Sequence, residues 1–252
     1  MDFKDKRVVV TGGSRGIGKA ISMEFAKRGA RVVILYHSDA VAAESTLAEL
    51  PSAQHIALQC DVSDPEQVQA TIEQAALALG GIDVLVNNAG IGDYHEIDSS
   101  SYEDWQLAWQ KTLATNLIGP ANLCYCVADK MIASGGGRII NISSRGAFRG
   151  EPIKPAYGAS KAALNSLTQS LAVALAKHKI FVAAVAPGFV NTELTADRLA
   201  SPEGIEIKAQ SPFNRVAEPE EVAYAALFLA SEGAEFSTGT IVDVNGASYL
   251  RS

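Results

Sequence analysis

The chain alternates between short continuous apolar runs and longer stretches whose apolar positions recur every three to four residues. The runs predict strands at Arg7 to Thr11, Arg31 to Tyr36, Ile82 to Val86, Arg138 to Ile142, Ile180 to Ala186 and Thr240 to Val244, with an extended segment at His55 to Gln59. The periodic stretches predict helices at Ile17 to Lys27, closed by Gly29, at Asp39 to Leu50, and at Pro65 to Leu79 behind an Asp64 N-cap. Further helices are expected around Glu103 to Met131, near Ala156 to His178 and at Glu220 to Leu229. Strand, helix and strand in succession mean parallel pairing, because each parallel crossover needs a helix to bring the chain back. The expected fold class is therefore α/β: a doubly wound parallel sheet of about seven strands with helices on both faces.

The rhythm breaks between Pro187 and Pro219, where Gly, Asn, Thr, Ser and further prolines replace the periodicity, as in a functional loop beside a regular sheet. No linker or composition shift divides the 252 residues, so 1–252 is expected to be one domain. With 21 Lys and Arg against 28 Asp and Glu, the net charge of -7 argues against nucleic-acid or membrane-surface partners. The charge is uneven. Met1 to Arg31 holds 8 basic and 3 acidic residues, whereas Val32 to Gln110 holds 13 acidic residues and no Lys or Arg. Cys60, Cys124 and Cys126 are too few for a disulfide framework and no leader pattern opens the chain, so a cytoplasmic location is expected. His37, His55, His95 and His178 lie in separate segments without metal-ligand spacing, and no metal is expected.

Between the first strand and the first helix stands Thr11-Gly12-Gly13-Ser14-Arg15-Gly16-Ile17-Gly18. Glycines there permit a tight turn and let backbone N–H groups approach a pyrophosphate, which the helix N-terminus also attracts. The turn predicts nucleotide contacts from Gly12, Ser14, Arg15, Gly16, Ile17 and Gly18. Four more motifs follow in order: Asn87-Asn88-Ala89-Gly90 after the fourth strand, Ser144 after the fifth, Tyr157-x-x-x-Lys161 in the long helix, and Pro187-Gly188 after the sixth strand. In these five motifs the chain resembles, nearly end to end, the short-chain dehydrogenase/reductase family, whose glycine motif is Thr-Gly-x-x-x-Gly-x-Gly. The resemblance implies a single Rossmann-type domain, a nicotinamide dinucleotide cofactor, and assembly as a homotetramer or homodimer.

Tyr157 and Lys161 are four residues apart, so a helix puts them on one face. A free phenol has a pKa of about 10, and bringing it near neutrality takes about 4 kcal/mol. One ammonium about 5 Å away, in an effective dielectric near 20, supplies on the order of 3 kcal/mol. The pair thus suits proton exchange with a substrate without a metal or a histidine. By resemblance, Ser144 orients the substrate oxygen, Tyr157 transfers the proton, and Lys161 acidifies the tyrosine and holds the nicotinamide ribose. Asn116, in Ala114-Thr115-Asn116-Leu117, matches the family asparagine that anchors a water chain to the lysine. The family's interval to the tyrosine selects Ser144 over its neighbour Ser143. The implied reaction is hydride transfer between nicotinamide and a carbonyl or alcohol carbon.

The same resemblance assigns Asp61 and Val62 to the adenine, and Asn88, Ala89 and Gly90 to the adenine ribose and pyrophosphate. Val190 and Thr192, just past Pro187-Gly188, fall to the carboxamide. NAD-selective members place an Asp at the end of the second strand. Here that place holds Tyr36, followed by His37 and Ser38, while Arg15 stands where the family binds a 2'-phosphate. NADP(H) is therefore the expected cofactor, its phosphate among Ser14, Arg15, His37 and Ser38, with NAD(H) second.

A substrate-binding loop is expected at about 188–216, aided by Tyr94, His95 and the stretch from Gly146 to Ile153. Arg145 and Arg149 flank Ser144 and are candidates for an anionic group on the substrate. Within the family the chain is most similar to the 3-oxoacyl-acyl-carrier-protein reductases, though their basic patch is only half present: Ala133-Ser134-Gly135-Gly136-Gly137 in one region, Lys177-His178-Lys179 in the other. The expected substrate is a small carbonyl or alcohol, either a ketone or 3-oxoacyl group or, alternatively, a sugar or polyol. A regulatory nucleotide-binding protein would ordinarily have lost the tyrosine or the lysine, and both are present.

Overall fold

The computed structural model describes residues 1–52 and 54–251. Strands β1 (Arg7–Thr11), β2 (Arg31–Tyr36), β3 (Ile56–Gln59), β4 (Val84–Asn87), β5 (Gly137–Ile142), β6 (Ile180–Pro187) and β7 (Ile241–Val244) form one sheet. Its order is β3-β2-β1-β4-β5-β6-β7, and every neighbouring pair is parallel. Side chains alternate between its faces, as the two-residue period of a strand requires. Val8, Val10, Ile34, Val86, Ile140 and Val185 meet α1 (Gly16–Lys27) and α10 (Pro219–Ala230) through Ile21, Phe25, Val222 and Leu227. On the other face, Val9, Val33, Leu85, Ile139 and Val182 meet α3 (Pro65–Leu79) and α5 (Gly119–Ala133) through Val68, Ile72, Leu123, Val127 and Met131. Burial on both faces explains why these strands are continuous apolar runs and not alternating ones. Among the described residues, no helix is long and apolar enough to cross a membrane.

The fourth strand begins at Val84, two residues later than its apolar run, and Asp83 just before it is tied to Arg7 at the amino edge of the sheet. One Asp83 oxygen accepts from the Arg7 backbone N–H and Nε, both at 2.8 Å, and the other from Arg7 Nη2 at 2.7 Å. Burial pushes the Asp83 carboxyl up, but these bonds and the Arg7 charge outweigh it and hold its pKa below the ordinary value. The pair ties β1 to the chain entering β4.

Two expectations are corrected. The helical region around Glu103 to Met131 is two helices, α4 (Tyr102–Leu113) and α5, joined by a wider π-helical turn over Ala114–Ile118. The irregular stretch after Pro187 holds two helices, α8 (Glu193–Ala200) and α9 (Glu203–Ala209). Thr192 starts α8 through a reciprocal capping arrangement with Thr195. α8 is only eight residues long and polar on average, shorter than the window over which a helical period stands out. The remaining helices are α2 (Ala40–Glu49), a single turn α6 (Gly146–Arg149) and the long α7 (Pro155–Leu175).

Candidate active site

β1 lies between β2 and β4, so the chain leaves β1 toward one side of the sheet while the neighbour on the other side is reached only later. Ligands of open α/β sheets bind at such a reversal, beyond the carboxyl ends of the strands. Here the glycine turn meets the segment after β4. Thr11 Oγ1 accepts from the N–H groups of Asn88 and Ala89, each at 2.9 Å. Asn88 Nδ2 donates in return to the carbonyls of Thr11 and Gly12 at 3.0 and 3.2 Å. Gly12 and Gly16 have φ of 60° and 50°, a left-handed conformation that disfavours other residues. A Cβ on Gly18 would stand 2.1 Å from the Gly12 carbonyl oxygen, so the turn can seat on α1 only if that position is glycine. Arg15, at the N-cap of α1, contributes no side-chain cap. The first N–H groups of α1, around Ile17, are left to an outside acceptor, and a dinucleotide pyrophosphate fits that need.

Beside the glycine turn, Tyr36 ends β2 and both His37 and Ser38 are exposed. The exposed Arg15 guanidinium lies 3.6 Å from Asp39, whose other oxygen caps α2 by accepting from Ala42 N–H. His37 Nε2 lies 3.5 Å from Asp61. Burial raises the Asp61 carboxyl, but two hydrogen bonds from Ser63 and the nearby His37 bring its pKa below the ordinary value. Ser14 and Val62 are buried, and the Ser14 carbonyl accepts from Thr46 Oγ1 at 2.8 Å. Gly90 is exposed beside this cleft, and a Cβ on it would lie 3.3 Å from both Lys161 Nζ and Asn116 Oδ1.

The neighbouring serines at the end of β5 differ sharply. Ser143 is buried and its hydroxyl points at the Lys161 carbonyl, whereas Ser144 is partly exposed and its Oγ accepts only from Gly146 N–H at 3.0 Å. The Ser144 hydroxyl also hydrogen-bonds the Tyr157 phenol, so the two hydroxyls stand side by side. α7 presents Tyr157 and Lys161 on one face, with Lys161 Nζ 5.8 Å from the centre of the Tyr157 ring. Lys161 is buried and donates to the Ile142 carbonyl at 2.8 Å, and burial lowers its pKa to about 8. Asn116, buried in the π turn, accepts from Ile91 N–H and donates to the Ile91 carbonyl and to Ser160 Oγ. Beyond β6, Pro187 accepts from Arg145 N–H, Gly188 donates to Val244, and Val190 is buried against Ala217. Thr192 reaches the glycine turn, since a Cβ on Gly16 would lie 3.2 Å from Thr192 Cγ2.

The acidified tyrosine expected from the Tyr157-Lys161 spacing is not found in the chain alone. Burial pushes the Tyr157 phenol up, the Ser144 hydroxyl only partly opposes it, and the Glu151 carboxylate adds to the rise. Arg145 is also unavailable as a partner for an anionic substrate. It is buried, with its guanidinium spent on Ser248 Oγ and Gln210 Oε1, and burial lowers its pKa to about 10. Two residues at the site carry more than their sequence context indicated. His95 is buried, takes the Ala156 N–H on Nε2 at 3.1 Å and contacts the Asp93 carbonyl through Nδ1 at 2.8 Å. With Nε2 accepting, Nδ1 donates, and the side chain joins the segment after β4 to the first turn of α7. Lys154 places its Nζ 4.4 Å from the centre of the Tyr157 ring. Neither belongs to a motif, and only the tertiary packing brings them in.

Cys60 and Cys124 are buried free thiols, and burial pushes Cys124 up to about 12. Among the described residues no cluster of His, Cys, Asp and Glu could hold a metal ion.

An open parallel α/β sheet with a glycine turn at its point of reversal defines a nucleotide-binding protein of the doubly wound class. Residues 12–247 match a family model described as enoyl-(acyl carrier protein) reductase. The chain is 37% identical to the L-rhamnose 1-dehydrogenase (NAD(P)(+)) of a Sphingomonas species, covering 98% of each chain. It is 35% identical to a 3-oxoacyl-[acyl-carrier-protein] reductase of Staphylococcus aureus, covering 97% of this chain and 98% of that one. A short-chain dehydrogenase from Burkholderia cenocepacia, solved in complex with NADP, superposes with a TM-score of 0.90 at 31% identity over 98% of this chain and 99% of its own. The chain belongs to the short-chain dehydrogenase/reductase family of oxidoreductases.

Proposed function

We propose that the protein is an NADP(H)-dependent oxidoreductase that moves a hydride between the nicotinamide and a carbonyl or alcohol carbon, acting as a ketone or 3-oxoacyl reductase. The observation that carries this reading is the gathering of Ser144, Tyr157, Lys161 and Asn116 beside the glycine turn, at the carboxyl edge of one sheet. The bound cofactor supplies the hydride. In reduction, the Ser144 hydroxyl donates to the carbonyl oxygen and Tyr157 gives that oxygen its proton. Lys161 holds the nicotinamide ribose and, with the positive charge of an oxidised nicotinamide, offsets the burial that raises the phenol. Asn116 sits where the π turn widens the helix, so that Gly119 N–H reaches back to the Ala114 carbonyl, and it anchors the water that resupplies the proton.

NADP(H) is supported by the exposed Arg15 and by the absence of a carboxylate on Tyr36, the last residue of β2. Asp39 is already engaged as the cap of α2 and as the partner of Arg15. We assign substrate closure to the segment 188–216, which includes α8 and α9, and expect a cytoplasmic enzyme. The exposed Leu107, Ile118, Tyr125 and Val173, on α4, the π turn, α5 and α7, support association of copies into a homodimer or homotetramer. The L-rhamnose dehydrogenase relative favours a sugar or polyol as the second substrate reading.

The test is turnover of ketones, 3-oxoacyl thioesters and polyols with NADPH and NADP. Tyr157→Phe should abolish turnover and leave NADPH affinity nearly unchanged, and undiminished turnover refutes the assignment. Arg15→Ala should raise KM for NADPH but not for NADH; a wild-type kcat/KM higher with NADH than with NADPH refutes the cofactor preference.

A further inference from the structure

Lys154 stands one residue before α7 and makes no capping bond there. Its ammonium is nearer the centre of the Tyr157 ring, at 4.4 Å, than is that of Lys161, at 5.8 Å. Its stem is partly buried against the segment after β4: a Cβ on Gly92 would lie 3.1 Å from Tyr157 Cδ2 and 3.6 Å from Lys154 Cδ. Neighbouring cations are engaged, Lys111 with Asp93, Arg198 with Glu203, and Arg145 with Ser248 and Gln210. Among the described residues the Lys154 ammonium has no hydrogen bond or ion pair. Burial lowers its pKa and Arg198 adds to that, against the pull of Glu151. The Tyr157 ring offsets only part of the cost of holding a desolvated cation, and an anion placed beside it recovers more.

We propose that Lys154 sets the substrate class, receiving the carboxylate of a short oxo acid or hydroxy acid whose reacting carbon lies at the Tyr157 hydroxyl. The inference rests on the oxidoreductase reading above. Arg198, on α8, acts on Lys154 through space and lies over the Phe189 ring, with its own guanidinium held by Glu203. The Glu151 carboxylate acts on Lys154, Arg145, Arg198 and Tyr157 alike. It leaves room for a single negative charge and disfavours a phosphate dianion.

The experiment compares each acid with its neutral ester: acetoacetate with methyl acetoacetate, and 4-oxopentanoate with its methyl ester, using NADPH as reductant. Wild type should favour the acid of at least one pair in kcat/KM. Lys154→Met and Lys154→Gln should each cut that preference by about tenfold or more, mainly through KM for the acid, as loss of a charge-assisted pair requires. Lys154→Arg should retain most of it. Equal use of acid and ester by the wild type, or a preference that survives both neutral variants, overturns the assignment while leaving the oxidoreductase reading in place. A wild type that reduces no member of either pair also overturns it, and turnover of neutral ketones and polyols then decides separately whether the broader reading stands.

Discussion

Lys161 costs the fold stability by keeping a charge out of water. The residue is 4% exposed, and burial lowers its pKa from 10.5 to about 8. At about 1.4 kcal/mol per pH unit, that displacement is about 3 kcal/mol against the folded state whenever the lysine is charged in both states. Lys161→Met removes the charge and keeps the length and volume of the side chain. It also leaves the Ile142 carbonyl without its donor at 2.8 Å, a loss of about 1 kcal/mol. The variant without cofactor should then be more stable than wild type at pH 7 by about 2 kcal/mol, a rise in Tm of about 4–8 °C for a chain of this size. The pH dependence is the sharper signature. Because the folded pKa is depressed, the unfolded state binds the extra proton between pH 8 and 10.5, so wild-type stability rises relative to the variant across that interval. Urea melts of both proteins at pH 7 and pH 10 measure the gap directly. A variant less stable than wild type at pH 7, or a gap that does not close toward pH 10, refutes the buried-charge argument. Turnover of the variant should be lost, so stability and activity move in opposite directions.

Other consequences are also measurable. Asp83→Asn should lower stability at pH 7 by about 2 kcal/mol, since Arg7 loses the charge it faces in a partly buried pair. Asp83 is held below its ordinary pKa, so this difference should be full above about pH 4 and fade as acid protonates the wild-type carboxylate in the fold; a difference unchanged at pH 2.5 would contradict it. His95→Phe should leave the Ala156 N–H without an acceptor, destabilise the chain by about 2 kcal/mol and lower kcat by about tenfold while NADPH affinity holds. Unaltered kcat would mean that the histidine does not position Tyr157.

The seven strands were legible because a strand covered on both faces must be apolar throughout, and Val8, Val9 and Val10 satisfy that locally. The glycine turn was legible for a similar reason: a Cβ at Gly18 has no room, and that restriction is written in one position. Residues whose roles depend on distant partners were not legible. His95 acquires its bond to Ala156 from 61 positions away, and Arg145 is drawn off by Gln210 and Ser248 on segments 65 and 103 residues later. The π turn at Asn116 repeats no pattern, and α8 is too short and polar for its period to stand out. Tyr157 shows a different limit. Its spacing to Lys161 was right, but burial of both groups reversed the expected effect on the phenol.

The Thr11 hydroxyl bonds to residues 77 and 78 positions further on, and between them the chain must lay down α1, β2, α2, β3, α3 and β4. The glycine turn leaves the ribosome early, yet its opposite wall does not exist until β4 has docked against β1. A nucleotide that spans both walls therefore binds only a chain whose central strands are already assembled. It does not template the early steps of folding; it draws the finished state forward by mass action, more strongly as its concentration exceeds its Kd. In a cell, the supply of nucleotide would then govern how long a completed molecule survives proteolysis more than how quickly a new one forms.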